Sequence, residues 1–315
     1  MNAFIHSSQD LVTSHEQTRA GFIEAALEKN KRAQPYIDAA KTLRALASTA
    51  KTPYDLLKMN NIRPSILAAS GLSDKSLHYF TEEDKNVAIK ELIEQFLLPA
   101  GNYFVDELVY RFLLIKGDSL GGSMRNYVGA VAKIKVTRKL LAVLNTMGIH
   151  YRVLMKEDKR LNRWQGMSYE SAYENAEEIA ALSWVYTRPR IVFFDTKIPT
   201  VDKNIDICLY RGTEQDYDGG RIVRKDELAL MFGELKGGID PAGADEHWKT
   251  GNTALDRIRT SFRRYNIKTA FVGAAIEKSM ADEIWQQLKD GTLDNAANLT
   301  VDTQFTNFCE WIVKL

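Results

Sequence analysis

Cysteine is scarce in this chain: Cys208 and Cys309 are the only two among 315 residues. They have neither the spacing of metal ligands nor the density of a disulfide scaffold, which excludes a zinc ribbon and a stapled secreted domain and favours a reduced, cytoplasmic setting. Long apolar runs are missing too. No window of about 18 consecutive apolar residues occurs, so no membrane-spanning helix is expected. The opening MNAFIHSSQDLVTSHEQ has no basic stretch followed by an apolar one, as a secretion signal would. Internal repeats and low-complexity linkers are also lacking. An excess of charge is absent as well: 42 Lys and Arg against 41 Asp and Glu give a net charge of +1, a poor match to a protein whose whole surface neutralises phosphates.

The total hides segregation. Between Arg111 and Arg163 there are twelve Lys or Arg against three acids, whereas Glu170 to Glu178 and Asp282 to Asp294 run acidic. Such separation suits a one-sided polyanion surface, and it equally suits solvated helix faces. With 45% hydrophobic residues the chain can bury one large core or two modest ones.

Residues 1–115 read as an all-helical region. Apolar residues recur at three- and four-residue spacings over Glu16 to Lys29, Tyr36 to Ala47, Thr52 to Met59 and Glu82 to Leu98, with stops at Pro53, Pro64, Pro99, Gly71 and Gly101. A long helix is expected from Met124 to Met147, after the glycine pair in GGSMRN. Residues 116–315 then change pattern. HYRVLM (150 to 155), RIVFFD (190 to 195), IDICLY (205 to 210), ELALMFGELK (227 to 236) and TAFVGAAIE (269 to 277) read as strands. Helices are expected over Tyr169 to Tyr186, Thr253 to Tyr265, Met280 to Leu288 and Thr303 to Val313. Strands mixed with helices imply an α/β core covered on both faces.

The chemistry centres on Asp206, Glu234 and Lys236. Alternation along a strand presents Asp206 from an apolar strand and puts Glu234 and Lys236 on one face of another. Two carboxylates with the carbonyl of Leu235 make an open, oxygen-only site of the kind Mg²⁺ prefers. Lys236 would orient the attacking water and stabilise charge on phosphorus. Glu-x-Lys alone is also a common exposed pair. The upstream acid and the flanking Gly233 and Gly237-Gly238 strengthen the functional reading, the glycines permitting close approach of a bulky ligand. His247, read in a loop after the motif, is a candidate proton acceptor. The helix after it carries Arg257 and Arg259, placed to contact phosphates or simply to solvate.

NIDICLY, FGELKGGID and DEHWKTGN resemble the type II restriction endonucleases of the AvaI/BsoBI kind, within the PD-(D/E)XK nuclease superfamily. The first element departs from the superfamily name, since no proline precedes Asp206. The resemblance implies a mixed central sheet flanked by helices, a Mg²⁺ cofactor, and a bacterial homodimer that embraces double-stranded DNA through its helical region. It also implies cleavage of the palindrome CYCGRG after the first C, with four-base 5′ overhangs, and a matching DNA methyltransferase in the same cell. Lys75, Lys203 and Asp240 correspond to base-reading positions. A lysine can donate to purine N7 of either A or G, and an aspartate can accept from a cytosine amino group. A structure-specific repair nuclease and a non-cleaving DNA-binding protein on the same scaffold remain open at this point.

Overall fold

The computed structural model describes residues 1–73 and 75–315. The chain divides into two compact units, residues 23–126 and residues 1–22 with 127–315. The first 22 residues thus join the sheet-bearing unit, whereas the sequence reading grouped them with the helical region.

Residues 23–126 are built from α1 (His15–Ala47), α2 (Arg63–Ala69), α3 (Glu82–Leu92) and the first part of α4 (Phe104–Thr146). Their core gathers Leu43, Ile66, Ile89, Ile93, Leu108 and Phe112. Thr81 starts α3 by accepting from the Asp84 N–H, and the Asp84 carboxylate accepts the Thr81 N–H in turn. Two expectations fail in an instructive way. Pro35 lies inside α1, which runs unbroken where two helices were read. The helix expected from Met124 instead starts at Phe104 and passes through Gly117, Gly121 and Gly122. Interior Pro and Gly cost about 3 and 1 kcal/mol relative to Ala, so local propensity argues for breaks that tertiary packing overrides.

The other unit is organised by an eight-stranded sheet, β1 (Tyr151–Met155), β2 (Trp164–Gln165), β3 (Ile179–Val185), β4 (Pro189–Ile198), β5 (Lys203–Arg211), β6 (Ala229–Lys236), β7 (Lys268–Gly273) and β8 (Asn295–Asn298). Its order is β2-β1-β3-β4-β5-β6-β7-β8. Neighbours from β2 to β6 are antiparallel, and β6, β7 and β8 are mutually parallel. Parallel neighbours require crossovers. Beyond the short α5 (Tyr169–Glu174) and α6 (Glu214–Tyr217), these are α7 (Ala244–Ser261) and α8 (Lys278–Asp290), and α9 (Asp302–Lys314) closes the chain.

One face of the sheet packs Phe193, Tyr210, Phe232 and Phe271 against Trp248 and Leu255 of α7 and Ile284 of α8. The opposite face packs Val192, Ile207, Met231 and Val272 against Leu140 and Leu144 of α4 and Phe308 and Ile312 of α9. Strand β3 occupies part of the stretch read as a helix over Tyr169 to Tyr186. It is buried on both faces, so it carries no alternation, and the Glu- and Ala-rich residues just before it suit a helix locally. Among the described residues, no helix is long and apolar enough to cross a membrane.

Candidate active site

The antiparallel ladder between β5 and β6 stops at Ile207 opposite Gly233. Beyond it the strands part, and a side chain takes over from the backbone: the Leu235 N–H donates to Asp206 Oδ2 at 2.8 Å. A strand residue turns its N–H and C=O toward the same neighbour, so the Leu235 carbonyl also faces Asp206. Glu234 and Lys236 point to the α7 side with Phe232. Lys236 Nζ lies 3.0 Å from Glu234 Oε2 and 3.7 Å from Asp206 Oδ2. Three charged groups from two strands therefore converge where the ladder ends.

Their electrostatics are tense. Glu234 is only 5% exposed. Burial, then the neighbouring Asp206 charge, pushes its carboxyl up to about 7 against the opposing pull of Lys236. Burial pulls the Lys236 ammonium down, yet the two carboxylates outweigh it and hold its pKa above that of a free lysine. Two carboxylates answered by one ammonium leave excess negative charge in a low-dielectric pocket, which a divalent cation would neutralise. Asp206, Glu234 and the Leu235 carbonyl form an all-oxygen set that fits such an ion. Among the described residues, no three His, Cys, Asp or Glu side chains form a closed metal cage. The site would leave coordination positions to water and substrate.

Two of the glycines beside the motif, Gly233 and Gly237, are closely packed. A methyl group on Gly237 would come within 3.0 Å of the Val128 carbonyl and 2.9 Å of the Ala132 nitrogen, so α4 crosses directly over the end of β6. On the other side, a methyl on Gly251 of α7 would meet Phe271 at 3.2 Å and the Lys236 Cε at 3.6 Å. Gly251 leaves room for the Phe271 ring, and the lysine stem runs alongside it. It was not singled out from the sequence, because only the fold reveals that α7 lies along Lys236.

His247 lies in the first turn of α7, not in a loop. Gly243, at φ +97°, ends the turn-rich approach, and Asp245 and Glu246 complement the helix N-terminus. The imidazole is exposed and faces Gly238. Asp240 is exposed and accepts the Ala242 N–H at 2.9 Å. Lys203 is exposed at the start of β5, and Lys75 is exposed within residues 23–126. Arg257 is exposed. Arg259 is tied down, donating to Asp256 at 2.6 Å and to the Thr292 carbonyl at 3.1 Å. The basic face of α4 is similarly engaged: Lys133 is near Asp195, Arg138 stacks on Tyr173, and Lys139 pairs with Asp302.

Asp195 is a further acid near the cluster. The β4–β5 pairs Phe194 with Ile207 and Thr196 with Ile205 flank it, which sets it across from Asp206. Its backbone is left-handed, at φ +46°. Burial first, and Asp206 among the nearby charges, raise its carboxyl above the usual range while Lys133 opposes them. An acid ending the apolar run RIVFF was the available sequence signal.

The model of the family described as restriction endonuclease BsobI matches residues 1–315. The type II restriction enzyme BsoBI of Geobacillus stearothermophilus is 48% identical over 314 residues, covering 99% of this chain and 97% of that protein. The type II restriction enzymes AvaI of Nostoc sp. and of Anabaena variabilis are each 47% identical over 314 residues, covering 99% of this chain and 98% of theirs. Likeness at this level over nearly the whole chain has one consequence: the chain belongs to the BsobI restriction endonuclease family.

Proposed function

We propose that Asp206, Glu234 and Lys236 form the cleavage centre through which this endonuclease hydrolyses duplex DNA with Mg²⁺. Family membership carries the reaction class: the chain is a site-specific deoxyribonuclease of type II, and enzymes of that kind generally use a divalent metal. The observation that carries the residue assignment is the convergence of Lys236 with both carboxylates where the β5–β6 ladder ends.

Asp206, Glu234 and the Leu235 carbonyl would hold the Mg²⁺. The bound ion would supply polarisation of the phosphate and a lowered pKa for the attacking water. Lys236, held charged by its acidic neighbours, donates to a non-bridging phosphate oxygen and stabilises the charge that grows there. His247, exposed beside Gly238, accepts the proton of the attacking water. Lys75, Lys203 and Asp240 contact base edges, and Arg257 and Arg259 contact phosphates, Arg259 after exchanging its present partners. The site read is CYCGRG, cut after the first C. A homodimer suits this reading because a twofold assembly meets identical half-sites of a palindrome. A cytoplasmic location and a partner methyltransferase protecting the host sites complete the proposal.

Sequencing the ends left on plasmid DNA tests substrate, site and reaction together. Lys236→Ala and Glu234→Ala should each slow cleavage by at least about a hundredfold while DNA binding in EDTA persists. Cleavage at the native rate in either variant would move the centre elsewhere.

A further inference from the structure

We infer that the N-terminal segment, residues 1–22, is a positioning element for cleavage, acting through Thr13 and Gly21 on the end of the strand that carries Glu234 and Lys236. The inference rests on the proposed centre. Lys236 is the last residue of β6, and its carbonyl accepts the Ala274 N–H at 2.9 Å from the residue just past β7. Whatever fixes Ala274 therefore fixes the backbone from which the Lys236 side chain departs.

Thr13 holds that turn at several points. Its Oγ1 donates to the Ala274 carbonyl at 2.8 Å and accepts from the Ile276 N–H and from Asn298 Nδ2, each at 2.9 Å. Its own N–H donates to the Ile276 carbonyl at 2.9 Å. A hydroxyl offers one donor and two acceptor lone pairs, so this one is fully used. Removing the hydroxyl would leave polar groups of the turn without their present partner.

The segment is itself anchored. Asn298 Nδ2 also donates to the Leu11 carbonyl at 2.9 Å, Gln304 Nε2 to the Asp10 carbonyl at 2.6 Å, and Asn2 Nδ2 to the carbonyls of Ala296 and Gln304 at 3.1 and 2.8 Å. Ile5 and Leu11 are buried in the core on the α7 side. Eight residues beyond Thr13, Gly21 packs so closely on Ile239 that any side chain there would overlap it. Ile239 lies between the Gly237-Gly238 pair and Asp240. The segment thus braces the backbone on both sides of the step from β6 into the following loop: the rung at Lys236, and the loop that carries Asp240.

Thr13 touches no reacting atom in this scheme. Its role would appear as a fall in rate with binding unchanged, since small misplacements of catalytic groups cost up to about a hundredfold. The test compares Thr13→Val, Thr13→Ser, Gly21→Ala and Lys236→Ala in the full-length protein. Three quantities are measured: single-turnover cleavage of plasmid DNA with Mg²⁺, DNA affinity in EDTA, and thermal stability. Thr13→Val should cleave roughly ten- to a hundredfold more slowly at unchanged DNA affinity, and Thr13→Ser, which keeps the hydroxyl, should recover most of the rate. Gly21→Ala leaves every Thr13 bond in place and displaces Ile239. It should slow cleavage as well, with DNA affinity falling because Asp240 moves with Ile239, and its single-turnover rate serves if Thr13→Val does not fold. Native single-turnover rates in Thr13→Val and Gly21→Ala, beside an inactive Lys236→Ala, would overturn the positioning role alone, as would a Thr13→Ser no faster than Thr13→Val. An active Lys236→Ala would overturn the proposed centre and the positioning role with it.

Discussion

The two halves of the sheet solve the burial of their strands differently. From β2 to β6 each strand pairs antiparallel, and the connections from β3 to β5 are short. From β6 to β8 the strands are parallel and need α7 and α8 as crossovers. The candidate centre lies on the seam: Asp206 comes from β5, whose two neighbours are both antiparallel, and Glu234 and Lys236 from β6, the strand shared by both halves. At that seam the ladder ends early, which frees the Leu235 N–H and C=O and lets Asp206 reach across. Regular pairing continued by one more rung would occupy the Leu235 backbone groups that the proposed centre uses. The difference teaches that this site is made where two packing regimes meet, and both must hold their ground for it to form.

Disturbing the helix that covers the seam should have the largest effect. Gly237→Ala pushes a methyl into backbone atoms of α4, which cannot swing aside as a flexible side chain would. We expect a loss of about 1 to 3 kcal/mol in urea denaturation together with slowed cleavage. Wild-type stability would mean that α4 yields easily there.

A smaller effect concerns protons at the seam. The Glu234 carboxyl, raised to about 7 from the ordinary 4.5, keeps a proton in the folded protein that the unfolded chain has released. Stability without metal should therefore fall as pH rises from the ordinary carboxylate value through 7, the sign opposite to that of a salt-bridged acid. A cation must displace that proton, so Mg²⁺ affinity should climb with pH, by at most about tenfold per unit, and level off near 7. Melting curves with and without Mg²⁺ across this range supply both readings, and Glu234→Gln should flatten them. A native protein already flat from pH 5 to 7 would contradict the assignment of that proton to Glu234.

The smallest effect lies across the strand. Asp195 lies across from Asp206 where the β4–β5 pairing is interrupted, and the like charge of Asp206 acts unfavourably on it. Asn tolerates the same left-handed backbone, so Asp195→Asn should raise stability by a few tenths of a kcal/mol while preserving the local turn. If the variant is instead less stable, the Lys133 contact with Asp195 outweighs the repulsion.

Asp206, Glu234 and Lys236 were legible because an acid in an apolar strand and a Glu-x-Lys at a strand end are local patterns. The segregated cations were legible as a run but not as a surface, since the bonds of Lys133, Arg138 and Lys139 depend on which elements α4 crosses. His247 was placed in a loop because Gly243 and Pro241 dominate local propensity, while the helix begins at the very next residue, Ala244. Strand β8, Asn-Ala-Ala-Asn, has no intrinsic strand preference and exists through its pairing with β7. Gly237 was misread since a glycine that admits a ligand and one that admits a helix look alike in sequence. Thr13 was invisible for a simpler reason: two of its hydrogen-bond partners lie 261 and 285 positions away.

That separation has a kinetic side. The bonds from Asn2 to Ala296 and Gln304 span 294 and 302 positions, close to the longest loops this chain can close. Contacts so distant return no stabilisation until the entropy of closure has been met, and they form after the local ones. Docking of the N-terminal segment onto the parallel edge of the sheet is therefore expected late in folding, and Thr13 reaches the turn beside Lys236 only then.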